Sequence, residues 1–440
     1  MTNVTVIDTI MGAGKTSYII EHMNRAYVDG LFGSSECRFI YVTPLLDEVE
    51  RVKEACPDLR FKDPKPIHGR KYYGLQTLIE GRENIATTHE LFKLLTQETK
   101  EALLAANYTL VIDEVLTCCD LFDGLTKYDQ NDLFNTGKVF IDPQTRRLRW
   151  DNENHGTYIG KFSHVKHLCD NGNLAVYADG SKSKRVLIWQ FPTEFLECFN
   201  EVYVLTYLFH GSPMRSYLEA EGVSLNIKAV SGDRKLGYRL VAWDDCNERQ
   251  IKANIRQLVT IYEGKGNDIG TPKDRKQPLS VSWFKKADAA ALKKLRGNTV
   301  TFFKNHAKTP AGSNSWATFK DYRTKLKGEG YSGKGCWIPL NTKATNVFAH
   351  KRSMAYLANR FTLPILRNYF AGRGINMNDD IYAISEMIQV LWRTAIRNDE
   401  PVTVYIPSER MRVLFKLWLE ADSTSELIEA LSPEPKRLAA

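Results

Sequence analysis

A strand-like NVTVID runs directly into TIMGAGKTS, Thr9 to Ser17, and that order of residue types can hold the phosphates of a nucleotide. A helix N-terminus offers unpaired N–H groups and a partial positive charge, so a glycine-rich turn leading into one cradles an anion. Gly12 and Gly14 permit close backbone approach, with Met11 and Ala13 completing the turn. Lys15 would reach the β- and γ-phosphates, and the Thr16 hydroxyl, followed by Ser17, would ligate Mg2+. Thr9 stands where the generic pattern has Gly, while the core G-x-G-K-T is intact. A second stretch, LVIDEV, ends a strand-like run in Asp113 and Glu114. Asp113 would hold Mg2+, directly or through water, and Glu114 would polarise an attacking water. Together the two stretches imply hydrolysis of a nucleoside triphosphate, ATP with Mg2+.

Positioning these groups requires a sheet with helical crossovers, and the first third of the chain has that rhythm. NVTVIDTI, RFIYVTP, NIATTH and YTLVIDEV read as strands, separated by helical patterns such as Lys15 to Val28. Such alternation predicts an α/β fold with a parallel sheet. From Leu121 to Asn200 the pattern changes to hairpin-like pieces, KVFIDPQTRRLRWDN and NLAVYADGSKSKRVLIWQF, which predict an inserted β-rich subdomain. The α/β rhythm resumes at EVYVLTYLF. After a linker near Gly222–Tyr238 a second block follows: a helix ERQIKANIRQLVTIYEG, strands PLSVSWF and GCWIPLN, a long helix NDDIYAISEMIQVLWRTAIRN, and PVTVYIPS with its own helix. The expected division is 1–120 with 201–222 as a first parallel-sheet domain, 121–200 as the insertion, 223–425 as a second domain, and 426–440 as a flexible tail.

Composition bounds the partners. The 440 residues are 43% hydrophobic and 25% charged, with no apolar run long enough for a membrane span and no secretory signal at the N-terminus. The eight cysteines show no C-x-x-C, and the nine histidines show no zinc spacing, so a reduced cytoplasmic protein without a structural metal is expected. The net charge of +8 points mildly to a polyanion. Between Gly264 and Cys336 lysines interleave with Tyr, Phe and Trp, a mix that suits a single-strand path or a set of solvated loops.

TIMGAGKT, IDEV and IQVLWRTAIRN together resemble three motifs of superfamily 2, DEAD-like helicases, nearest in look to the compact helicases of bacteriophages. The resemblance implies two RecA-like domains in tandem, ATP in the cleft between them, and nucleic acid lying across both. It also implies an arginine of the second domain at the γ-phosphate. Gln389, Arg393 and Arg397 recur every four residues, which predicts one helix face. The family spaces its arginines by three and has Gly where Trp392 stands; Arg393 is the expected finger, with Arg397 behind it. By the same resemblance Thr43 and Pro44 of YVTP, Thr87 and Thr88 of ATTHELF, Trp283 of VSWFKK, and Thr342 and Lys343 of PLNTKATN would face nucleic acid. Thr206 would couple hydrolysis to strand binding. His89 reads as a cap or packing residue. Only eight residues precede Thr9, too few for the family's adenine-reading glutamine motif, so base discrimination is expected to be poor or built elsewhere.

The function so implied is an ATP-dependent helicase or translocase on single-stranded or forked DNA, RNA not being excluded, with the insertion as strand wedge or protein-docking surface. A packaging-type DNA motor would need a nuclease domain rich in metal-binding carboxylates. A phosphate-loop phosphotransferase of a small molecule would lack the second block. An ATP-gated binding protein would keep the same residues.

Overall fold

The computed structural model describes residues 3–31, 37–178, 185–245, 248–273, 277–342 and 346–432. Near-continuous apolar runs become strands covered on both faces by helices. Four of them, β1 (Asn3–Asp8), β2 (Arg38–Thr43), β3 (Ile85–Thr88) and β4 (Tyr108–Asp113), precede the insertion. The insertion carries β5 (Cys119–Leu121), β6 (Val139–Ile141), β7 (Leu148–Trp150), β8 (Leu174–Ala178) and β9 (Arg185–Gln190). The chain then returns as β10 (Glu201–Thr206), β11 (Ser224–Asp233) and β12 (Gly237–Ala242). The first sheet has the order β12-β11-β1-β10-β4-β2-β3, parallel throughout except for the β11–β12 hairpin at its edge.

That hairpin corrects the expected boundary at residue 222. The stretch expected to link the domains is instead the outer edge of the first sheet, bonded strand to strand with β1. Its largely half-buried residues and its short turn, Arg234 to Leu236, are those of an edge ribbon rather than of a linker. The insertion holds a β5-β9-β8 antiparallel sheet and a β6–β7 hairpin, with helices Lys127–Asn135 and Ser163–Asp170 around a core of its own that includes Leu133, Trp150, Leu168 and Leu187.

The second sheet is parallel, in the order β13-β16-β15-β14, from β13 (Val259–Ile261), β14 (Asn314–Ala317), β15 (Ser353–Tyr356) and β16 (Val402–Tyr405). Both domains are RecA-like in plan. Here three local expectations change. The helix from Glu248 stops at Leu258, and the Val-Thr-Ile after it is a strand. PLSVSWF is no strand: the Ser280 hydroxyl accepts from Trp283 N–H at 3.3 Å and starts the helix Val281–Lys286. GCWIPLN contributes only a bridge from Trp337 to Trp316. The tail expected from residue 426 is helical to Leu431, because Leu427 is buried in the second core; residues 433–440 lie outside the described ones.

The two domains exchange parts. Ile10, Tyr207 and Leu208 of the first lie in the hydrophobic core of the second. In return Leu366, Tyr369 and Phe370, on the helix Pro364–Ala371, lie in the core of the first. At the seam, Tyr207 OH donates to Glu248 and accepts from Trp418 Nε1 at 2.7 Å. Glu248 also accepts from Thr424 N and Oγ1, at 2.9 and 2.8 Å, and pairs with Lys252 at 3.0 Å. Lys252 is fully buried and donates to the Ala421 carbonyl at 3.1 Å. Among the described residues no helix is long and apolar enough to cross a membrane.

Candidate active site

The phosphate loop leaves β1 after Asp8 and enters the helix Lys15–Leu31. Gly12 and Gly14 have φ of +84° and +95°, where a side chain is strained. Crowding excludes one too: a Cβ on Gly14 would lie 2.1 Å from the Tyr238 ring, and one on Gly12 3.0 Å from Trp392. Thr9 departs from the generic glycine for a visible reason. Its buried hydroxyl accepts from Val230 N at 3.0 Å and ties the loop to β11. Lys15 folds back on the loop, donating to the Thr9 carbonyl and, at 3.3 Å, to that of Ile10. Desolvation lowers its pKa, against the pull of Glu114, Asp8 and Asp113. Thr16 and Ser17 occupy the first turn of the helix, partly buried.

Asp113 ends β4 beside the loop. Tyr41, on the neighbouring β2, donates its hydroxyl to Asp113 Oδ2 at 2.8 Å, and the His89 ring contacts the Asp113 carbonyl at 2.9 Å through Nε2. Burial, then the adjacent Glu114, push the Asp113 carboxyl up to about 7, with the Tyr41 hydrogen bond pulling the other way. The Asp113 carboxylate and the Thr16 hydroxyl are hard oxygens of the kind Mg2+ takes, with water and phosphate to supply its remaining ligands. Glu114 itself sits at φ +65°, held by its N–H to the Leu205 carbonyl at 2.9 Å. A non-glycine residue kept in that region is a cost tolerated where function needs the side chain aimed.

The second domain delivers Arg393. Its guanidinium lies 3.8 Å from Glu114 Oε1, with both side chains largely buried. At that distance the pair is ionic rather than hydrogen-bonded, and among the described residues Arg393 Nε has no hydrogen-bond partner. Donor capacity is thus stored beside the Glu114 carboxylate. The shared helix face expected for Gln389, Arg393 and Arg397 does not form. The helix ends at Leu391, because the Thr394 hydroxyl takes the Leu391 carbonyl at 2.6 Å and Ala395 N–H turns to Lys351. Gln389 is buried in the last turn, and Arg397 rides a following 3-10 turn, half-buried.

The residues expected to touch nucleic acid are placed differently. Thr43 ends β2 and Thr87 stands one residue before the end of β3, both buried, their hydroxyls without partners among the described residues. Thr88 caps the helix His89–Phe92, accepting from Leu91 N–H at 3.4 Å, and Pro44 is partly exposed. Trp283 packs edge-on against Phe284 at 5.0 Å. Thr342 sits in a turn, its N–H on the Pro339 carbonyl, and Lys343 falls outside the described residues. The interleaved aromatics of 264–336 mostly build the second domain's own core, Phe302, Phe303, Trp316 and Tyr331 among them, while Lys285, Lys286, Lys293 and Lys294 stay exposed. Those rings are packing, not stacking faces.

Asp8 went unremarked in the sequence, although its VID parallels the VID of Asp113. It is buried, takes the Phe209 N–H on Oδ2 at 3.1 Å, and has no hydrogen-bond partner for Oδ1 among the described residues. Burial raises its carboxyl from 3.8 to about 7, the Phe209 hydrogen bond and Lys15 opposing. The folded protein therefore keeps a proton that the unfolded chain has lost, and stability falls as pH rises between those two values. Asp8→Asn abolishes that titration. Its stability relative to the natural protein should climb from pH 4 to pH 7 and then level off, by an amount on the order of a few kcal/mol. Denaturant midpoints across pH measure it, and a flat difference refutes it.

Residues 253–419 match the YonV C-terminal Rossmann-like domain, and residues 123–189 the YonV middle domain. The chain is 38% identical over 434 residues to the SPbeta prophage-derived uncharacterized protein YonV of Bacillus subtilis (strain 168), covering 96% of this chain and 99% of that one. A solved structure titled XPD_Helicase superposes with a TM-score of 0.50 at 11% identity, over 94% of each chain. Another, Structure of S. tokodaii Xpd4, reaches 0.40 at 11% identity. The first likeness is one of fold, a helicase-like pair of α/β domains. With sequence identity running nearly end to end, the chain belongs to the YonV family.

Proposed function

We propose that the chain is an ATP-driven nucleic acid motor, a helicase or translocase acting on DNA. The observation that carries this is the meeting of Arg393, from the second domain, with Glu114 at the phosphate loop of the first. Lys15 and the loop amides bind the β- and γ-phosphates, Glu114 orients the water, and Arg393 answers the charge that builds on the transferring phosphoryl group. Thr16 and Asp113 would hold Mg2+, which supplies charge neutralisation when bound. Because one catalytic group comes from each domain, hydrolysis and the relation between domains are coupled, as a motor requires. The helicase-like fold supports the same reading. The insertion at 121–200 would serve as a wedge or a docking surface for a protein.

The test is the ATPase rate with and without single-stranded DNA or RNA, with Lys15→Ala as the blank. Stimulation by DNA that fades with added salt is expected, since backbone phosphates dominate such contacts. A rate indifferent to both nucleic acids overturns the motor and leaves a small-molecule acceptor.

A further inference from the structure

The catalytic groups all stand on one flank of the phosphate loop. Asp113 and Glu114 come from β4, beyond β10 in the sheet, and Arg393 meets them there. A triphosphate whose γ end is held on that flank lays its chain along the loop, and its nucleoside leaves on the opposite flank, toward β11. That flank is not empty surface. A cavity of about 620 Å³ opens there, lined by Ala13 of the loop, by Gly232, Arg234, Lys235 and Tyr238 of the β11–β12 hairpin, and by Ile251 of the second domain.

We propose that this hairpin cavity is the binding site for the base and ribose of the nucleoside triphosphate, an inference that rests on the phosphate-loop reading above. The chemistry fits the parts of the ligand. Tyr238 and Ile251 offer apolar surface to a base, and both are packed at the loop, Tyr238 against Gly14 and Ile251 in the second core. Arg234 and Lys235 are exposed at the rim, where their donors can meet ribose hydroxyls and the acceptor atoms of a base. The hairpin is held rigidly to the loop. Thr9 Oγ1 accepts from Val230 N at 3.0 Å, and Glu21, on the loop's own helix, accepts from Tyr238 N at 3.2 Å. The turn of the ribbon is tight as well: Gly232 has φ +128°, and a Cβ there would lie 2.1 Å from the Gly237 carbonyl oxygen. Since Ile251 belongs to the second domain, an occupied nucleoside site bridges the domains on the flank away from Arg393.

The experiment compares Mg2+-dependent binding of ATP, GTP, CTP, UTP and inorganic tripolyphosphate by calorimetry. The full chain, the double variant Arg234→Ala/Lys235→Ala, and Ile251→Ala are the three proteins. The natural chain should prefer at least one nucleotide over tripolyphosphate by about tenfold or more, a difference of roughly 1.4 kcal/mol. Each variant should narrow that gap several-fold while leaving tripolyphosphate within about twofold. The double variant changes only exposed side chains, so its fold is preserved. Equal binding of nucleotides and tripolyphosphate by the natural chain overturns the proposal but leaves the phosphate loop standing. So does a gap that survives in both variants, or a loss shared equally by tripolyphosphate. If no ligand binds the natural chain, the phosphate-loop reading falls first and takes this one with it.

Discussion

Arg393→Ala should lower the rate of ATP hydrolysis by about a thousandfold or more, while ATP affinity changes only a few-fold. The guanidinium sits 3.8 Å from Glu114, too far for a hydrogen bond, and its Nε has no partner among the described residues. The Nε donor is therefore unspent among the described residues, and a group that meets the ligand only as charge builds acts on the rate rather than on binding. Desolvation lowers the pKa of the guanidinium, first among its causes, yet leaves it charged at any working pH. Arg393→Lys should rescue little, because a point charge cannot reproduce a planar fork. Single-turnover hydrolysis alongside equilibrium nucleotide binding separates the two effects. A rate within tenfold of the natural protein's would remove Arg393 from the chemistry and return attention to Arg397.

The largest effect on stability is expected at the seam. Lys252→Met should cost about 3–5 kcal/mol, because it strands the Glu248 charge in a site with almost no solvent. Glu248 also takes hydrogen bonds from Tyr207 and Thr424, neither of which is charged. Removing both charges, in Glu248→Gln/Lys252→Met, should cost less than removing the lysine alone, since no unpaired ion remains. Guanidinium midpoints of the three proteins measure this directly. A double variant less stable than the single would show that the carboxylate, not the pairing, carries the site.

Local features were legible in the sequence and long-range ones were not. The phosphate loop reads from eight consecutive residues, Thr9 to Thr16, because such a loop works through backbone geometry plus one lysine. The Asp113–Glu114 pair reads from its place at a strand end. Arg393 was visible as a residue type at a plausible distance, but its presentation was misread, because the bond from Thr394 to the Leu391 carbonyl ends the helix where the periodicity continues. Tyr41 and His89 support Asp113 across 72 and 24 residues of chain, a pairing no window of sequence contains. The hairpin β11–β12 reads as a linker in the sequence since its glycines and charges are those of a turn, and nothing local says that the turn stands against the phosphate loop. The aromatics of 264–336 misled for a different reason. Small domains spend rings on their own cores, and four-residue strands such as β14 and β15 leave the packing to them.

The exchange of parts between the domains sets what kind of machine this can be. Leu366 and Phe370 are plugged into one body, and Tyr207 and Leu208 into the other, so neither half owns a complete interior. Severed near residue 245, the N-terminal piece would present an open apolar socket and two orphaned plugs to water. The halves were not free modules joined by a tether. For the motor proposed above, wide separation would be a costly working stroke, because it would pull buried rings through solvent at every cycle. What the seam favours is a small rotation about itself, as in a pair of pliers whose rivet is Tyr207, with the proposed nucleotide site in the jaw and the rest of the molecule as the handles.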